Sequence, residues 1–121
     1  MFATLFLLGA FGNALSDRDS NAAVMYIQSV STPALFEACK KVEPGNAARM
    51  DQTWESWLKR NKAIVARGES VVRAQAKKDG TDVDEMFRLE SEAIVAELME
   101  SSVEEQRERC QYFLEVIQSE T

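Results

Sequence analysis

Apolar residues recur three or four positions apart along most of the chain, and no stretch of useful length alternates between apolar and polar residues as a strand does. This spacing predicts an all-α protein, an antiparallel bundle of about five helices. The first two helices are expected over residues 21–30 and 33–42. Ser20 is a preferred N-cap residue type, and Thr32-Pro33 is typical of an N-cap followed by a first-turn proline.

The longest predicted helix is central and covers residues 47–78. Asn46 precedes it as an N-cap, and apolar or small positions spaced four and three residues apart form its buried seam. Asp79-Gly80 is expected to end it, because glycine readily adopts the left-handed conformation that closes helices. Gly68 lies inside this helix, where glycine costs about 1 kcal/mol, so we expect a close helix crossing or a kink there.

Two further helices are predicted in the last third of the chain. Asp82 and Ser102 each precede one of them and are followed three residues later by Glu85 and Glu105, the spacing of a capping box. The short connections predict that the last three helices fold back on one another.

The N-terminal segment is uncharged over residues 1–16, and its apolar run, residues 2–11, is too short to span a bilayer. Ala14 and Ser16 are small residues at the positions that signal cleavage before Asp17 requires. We therefore expect residues 1–16 to be a signal peptide and residues 17–121 to be a single helical domain. This domain is expected to be periplasmic or secreted, without a stable membrane anchor after cleavage. Because no Lys or Arg follows Met1, an apolar N-terminal helix in a cytoplasmic protein is the alternative.

Cys39 and Cys110 are the only cysteines, and both fall on the apolar faces of predicted helices. An even cysteine count in a small exported domain favours a disulfide. The bridge would close a loop of about 70 residues and stabilise the fold by about 4 kcal/mol. The alternative is a pair of buried thiols in a cytosolic protein.

Charge is unevenly divided along the chain, whose net charge is −6. Residues 46–81 have eight basic and four acidic residues, whereas residues 82–121 have three basic and twelve acidic residues. On the long predicted helix, one narrow stripe beside the seam carries four basic residues: Arg49, Arg60, Arg67 and Lys78. Either this stripe pairs with the acidic last two helices of the same molecule, or it stays open and meets an acidic partner.

The first predicted helix is apolar on nearly all sides, more than one face of a bundle can bury. Met25, Tyr26 or Ile27 is therefore expected to face a second surface: the N-terminal segment, a second protomer or another protein. Trp54 and Trp57 fit the seam of the long helix and are expected to pack in the core, although tryptophan is also common in interfaces.

The absence of histidine excludes Ser-His-Asp and Cys-His nucleophiles and imidazole bases. Two cysteines without histidine cannot build a four-ligand zinc site from soft ligands, and no glycine-rich phosphate loop is present. The acidic balance argues against nucleic acid as a partner. We therefore expect no catalytic residue, no metal site and no cofactor.

Taken together, these features predict a small exported, non-enzymatic protein that binds another protein, as an inhibitor or immunity-type factor. A structural or self-associating envelope protein, homodimeric through its first helix, is the alternative, and a binder of a small apolar ligand is a third. The outline, an apolar leader with a short helical body and two distant cysteines, is similar to that of many small periplasmic bacterial proteins. Some immunity proteins against secreted cell-wall amidases share this outline, which implies no functional residue.

Overall fold

The computed structural model describes residues 16–119. The predicted fold class is confirmed, because the described chain is an all-α helical bundle without strands. Its elements are α1 (Asp17–Val42), a 3-10 turn (Pro44–Asn46), α2 (Ala47–Arg60), α3 (Lys62–Asp79), α4 (Val83–Glu100) and α5 (Val103–Ser119). The predicted leader covers residues 1–16, of which all but Ser16 lie outside the described range, so both the signal peptide and its helical alternative stay predictions. No helix within residues 16–119 combines the length and the apolar composition that crossing a membrane requires.

Helix α1 runs without interruption through Pro33, so the prediction of two helices over residues 21–30 and 33–42 is wrong. An interior proline disfavours a helix by about 3 kcal/mol. Here side chains on both sides of Pro33 are buried, Ile27 among the preceding ones and Phe36 among the following ones, and this packing outweighs the local preference. Ser20 is interior as well: the cap is Ser16, whose Oγ accepts a hydrogen bond from the Asp19 amide at 3.2 Å.

The predicted helix over residues 47–78 is two helices, α2 and α3, because the chain turns at Asn61. Asn61 has φ −104° and ψ 13°, close to the bridge region, and it stands at the N-cap position of α3. Its carbonyl accepts the first helical hydrogen bond from the Val65 amide at 2.9 Å. Asparagine is a weak helix former, and a break of one residue leaves the apolar spacing on both sides almost unchanged.

The residues predicted to end α3 and to begin α4 and α5 are confirmed. Gly80 ends α3 with φ 68°, and the Thr81 amide donates to the Ala76 carbonyl at 2.9 Å, as in a Schellman motif. The Glu85 amide donates to Asp82 Oδ1 at 3.1 Å and the Glu105 amide to Ser102 Oγ at 3.2 Å. The caps at Asp82 and Ser102 therefore form their side-chain bonds. Asn46, the N-cap predicted for residues 47–78, lies instead in the 3-10 turn, and its Nδ2 donates to Glu43 Oε2 at 2.9 Å.

The described chain divides into two compact units, each with its own buried centre. The described part of the first unit consists of residues 16–31 and 61–90, and that of the second of residues 32–60 and 91–119. The core of the first unit is a cluster of seven buried side chains: Ala23, Tyr26, Ile27, Val72, Ala76, Val83 and Phe87.

Of the three residues predicted to face a second surface, Met25, Tyr26 and Ile27, the last two are buried within the chain. Tyr26 is 6% exposed and Ile27 1% exposed, and Met25 is half-buried. The Tyr26 ring meets Phe87 edge-on at 5.8 Å, while Arg73 Nη2 donates to its hydroxyl at 3.4 Å. Burial raises the pKa of the Tyr26 phenol above its ordinary value, and the charge of Arg73 opposes that shift.

The predicted close crossing at Gly68 is confirmed in the same unit. A Cβ atom built on Gly68 would lie 1.9 Å from the carbonyl oxygen of Ala22 and 2.8 Å from the Cβ of Tyr26. Helices α1 and α3 therefore touch backbone to backbone at this point, which only glycine permits.

The second unit is built around Trp57 and the disulfide. Trp57 is fully buried and stacks on the half-buried Trp54, with ring centroids 4.8 Å apart, while Phe36 meets Trp54 edge-on. Cys39 and Cys110, which the sequence predicts to pair, lie at disulfide distance, with Cα atoms 5.5 Å apart and both side chains buried.

Candidate functional site

The four predicted stripe residues divide between two helices, because the chain turns at Asn61. Arg49 and Arg60 belong to α2 in the second unit, whereas Arg67 and Lys78 belong to α3 in the first unit. The common stripe assumed one uninterrupted helix over residues 47–78, and that assumption is wrong.

The predicted pairing with the acidic last two helices is wrong for Arg67. Arg67 instead binds Asp19 of α1, donating from Nε and Nη2 to Oδ1 at 3.0 and 2.7 Å. Arg73 makes the link to α4, through Asp84 at 3.1 Å. Arg73 faces Asp84 because a tight turn joins α3 to α4. The spacing of residues within α3 alone could not predict this contact with another helix.

The Arg67–Asp19 pair leads to a measurable coupling. Both side chains are only partly exposed, so we expect a coupling of about 0.5–1 kcal/mol in the free energy of unfolding for the double-mutant cycle D19N, R67Q and D19N/R67Q. Urea unfolding of the four proteins measures it. The Glu85–Arg88 pair, which is more exposed, provides the control cycle with the smaller coupling. Additive single effects at Asp19 and Arg67 would contradict the expectation.

Arg60 lines a surface groove in the second unit, and Arg49 donates a hydrogen bond to Gln118, another residue of the lining. The groove has a volume of about 270 Å³ and is lined by Gln52, Thr53, Ser56 and Arg60 of α2 and by Gln118 of α5. We define the basic row as Arg49, Thr53, Ser56 and Arg60, which are spaced four, three and four residues apart. They lie within about 60° of one another around α2, and the two arginine positions are about 16 Å apart along its axis.

Gln118 fixes one wall of the groove. Arg49 Nη2 donates to Gln118 Oε1 at 3.1 Å, and Gln118 Nε2 donates to Thr53 Oγ1 at 3.5 Å. The α2–α5 contact carries these side chains, since the buried Met50 and Trp57 of α2 and Leu114 and Ile117 of α5 belong to the same compact unit. Sequence spacing indicated Arg49 and Arg60 but could not bring in Gln118, which is distant along the chain.

The basic row keeps its charge available. In the part of the chain that the structure describes, Arg60 takes part in no ion pair. The acidic residues of α2 lie away from the row: Asp51 pairs with Lys40, and Glu55 is about 140° from Arg60 around the helix. The pair with Asp51 raises the pKa of the Lys40 ammonium. The groove therefore offers two guanidinium groups with hydroxyl and amide groups between them.

The outer face of α5 carries the opposite charge. We define the acidic ridge as Glu104, Glu108, Tyr112 and Glu115, which lie within about 80° of one another and point away from the buried Cys110. Tyr112 is 62% exposed, and no ion pair within residues 16–119 involves the three glutamates. Our prediction of interface residues did not include Tyr112. Its position two residues after a buried cysteine on an amphipathic helix was the available signal.

The chemistry of the basic row and the acidic ridge is that of ion pairing and hydrogen bonding. Within residues 16–119, no three Cys, Asp or Glu side chains converge on a point where they could hold a metal ion. Comparison of the chain with protein-family models, with curated proteins and with solved structures finds no match.

Proposed function

We propose that this protein is an exported, non-enzymatic protein-binding module whose α2–α5 groove takes an acidic segment of a partner protein. The observation that carries the proposal is the basic row: two arginines about 16 Å apart on one helix face, in a chain of net charge −6. Arg60 lines the groove, and Arg49 is joined to it through Gln118. The export part is supported by the Cys39–Cys110 disulfide, since disulfides persist in oxidising compartments.

Carboxylates are the ligands that this groove suits best. A guanidinium group has a planar set of donors that matches the two oxygens of a carboxylate. Thr53, Ser56 and Gln52 supply groups that donate and accept hydrogen bonds, which suits the peptide backbone between two acidic side chains. A small apolar ligand fits this groove poorly, because all five residues that line it are polar.

Binding of an acidic peptide to the labelled protein tests the proposal. We expect titration with a glutamate-rich peptide to shift the NMR signals of Thr53, Ser56 and Gln118 in the protein labelled with nitrogen-15. Replacing both arginines of the row (R49Q/R60Q) should weaken binding about tenfold, equivalent to about 1.4 kcal/mol, because two charge-assisted hydrogen-bonded contacts are lost.

A variant of equal charge change controls for unspecific attraction. Lys77 and Lys78 are exposed at the end of α3, so K77Q/K78Q removes two positive charges from the other compact unit. Its affinity for the peptide should stay within about twofold of that of the parent, because neither lysine lines the groove. Equal losses in the two variants, or shifts spread over all basic residues, would contradict a specific groove.

A further inference from the structure

We infer that the acidic segment is the acidic ridge of a second copy of this chain, so that two copies form a dimer with each basic row on the partner's ridge. This inference rests on the proposed function and names the partner of that same groove. It differs from the predicted dimer through the first helix, whose residues Tyr26 and Ile27 are buried within the chain.

The two surfaces match in length. The basic row extends from Arg49 to Arg60 and the acidic ridge from Glu104 to Glu115, eleven residues in each case. Both are therefore about 16 Å long on a regular helix. The row has an arginine at each end, and the ridge has a glutamate at each end. A helix of one copy that lies along a helix of the other brings both arginines within reach of carboxylates.

The two surfaces also lie on the same side of the second unit. Gln118, which lines the groove, is three residues from Glu115 and about 60° from it around α5, so these two side chains are neighbours on the helix surface. The surface thus passes from the arginines of α2 over Gln118 to the glutamates of α5. A patch that carries both charges on one side is self-complementary, as a two-fold symmetric dimer requires.

Tyr112 supplies an apolar contact between the charged groups. It is 62% exposed, its ring lies 6.0 Å from that of Phe113, and tyrosine is among the residues that contribute most to interfaces. Arg109 of α5 pairs with Glu97 at 3.6 Å. Arg107 lies only about 60° from Glu104 around the helix and offsets part of the negative charge at that end of the ridge.

Charge reversal on the two surfaces separately tests the inference by sedimentation equilibrium. At low salt the parent protein should dimerise. R49E/R60E and E108R/E115R should each raise the dimer dissociation constant at least tenfold, because each places like charges opposite one another. An equimolar mixture of these two variants should dimerise again, since in the mixed dimer both contacts join opposite charges. K77E/K78E, with the same charge change on α3, should dimerise like the parent.

The fold is checked by circular dichroism in every variant, and the mixing experiment decides between pairing and misfolding, since misfolded chains do not recover on mixing. Half-molar salt should weaken the parent dimer, and Y112A should weaken it without changing its salt dependence. A parent protein that is monomeric at low salt and high concentration would overturn the inference. The peptide titration would still decide the proposed function on its own. The inferred dimer would also be overturned if the mixed variants failed to associate, or if neither charge reversal changed the dimer dissociation constant.

Discussion

Replacing Cys39 and Cys110 together by alanine is expected to lower the free energy of unfolding by about 4 kcal/mol. The bridge joins residues 71 apart in sequence, and closing a loop of that length restricts the unfolded chain by about this amount. Both side chains are buried, so removing the sulfur atoms also leaves unfilled space in the second unit. For a chain of this size, such a loss is a large share of the total stability.

Urea unfolding, followed by circular dichroism, measures this effect. In a reducing buffer, the urea midpoint of the parent protein should approach that of the double variant. The urea midpoint of the double variant should be the same with and without the reductant. A parent protein whose urea midpoint is the same with and without reductant would contradict the expectation, because it would show that the bridge does not restrain the unfolded chain.

Replacing Gly68 by alanine is expected to lower the free energy of unfolding by about 2 kcal/mol. The new Cβ would lie 1.9 Å from the Ala22 carbonyl oxygen and 2.6 Å from its carbon, so the backbones of α1 and α3 have to separate. Overpacking of a well-packed contact commonly costs about 1–3 kcal/mol, and backbone cannot rotate away as a flexible side chain can. Alanine gains about 1 kcal/mol over glycine in helix propensity, which offsets only part of the loss.

Gly45 is the matched control for this substitution. Nothing lies within 4 Å of a Cβ built on Gly45, which is in the 3-10 turn and does not have a positive φ. G45A should therefore leave the free energy of unfolding unchanged within about 0.5 kcal/mol. Equal urea midpoints for G68A and G45A would show that the helix crossing at Ala22 tolerates a side chain.

The sequence predicted those features that depend on groups a few residues apart. The caps at Asp82 and Ser102 each need a side-chain oxygen and a backbone amide three residues later, and both form. The end of α3 at Gly80 needs one residue that accepts a positive φ. The buried faces that carry Cys39 and Cys110 follow from helical periodicity, which places apolar residues on one side of a helix.

The candidate site was predicted only in part. Helical spacing put Arg49 and Arg60 on one face, and the structure keeps them there because α2 is regular from Ala47 to Arg60. The same spacing wrongly extended the stripe to Arg67 and Lys78, since it assumed that the helix continues through Asn61. Gln118 joined the groove through the packing of α5 on α2, which no local signal encodes.

Tertiary packing decided the features in which distant residues compete with local preference. It keeps α1 helical through Pro33, because buried side chains on both sides offset the lost hydrogen bond. It places Ala22 against Gly68 and turns Tyr26 into the core of the first unit, although the sequence left that face available for a partner. The sequence alone determined the helical class, the helix ends with strong caps and the burial of the two cysteines, because these depend on periodicity and short-range hydrogen bonds. The tertiary structure decided which helices continue, which charges pair and which surface stays open, because these depend on contacts between segments far apart in the chain.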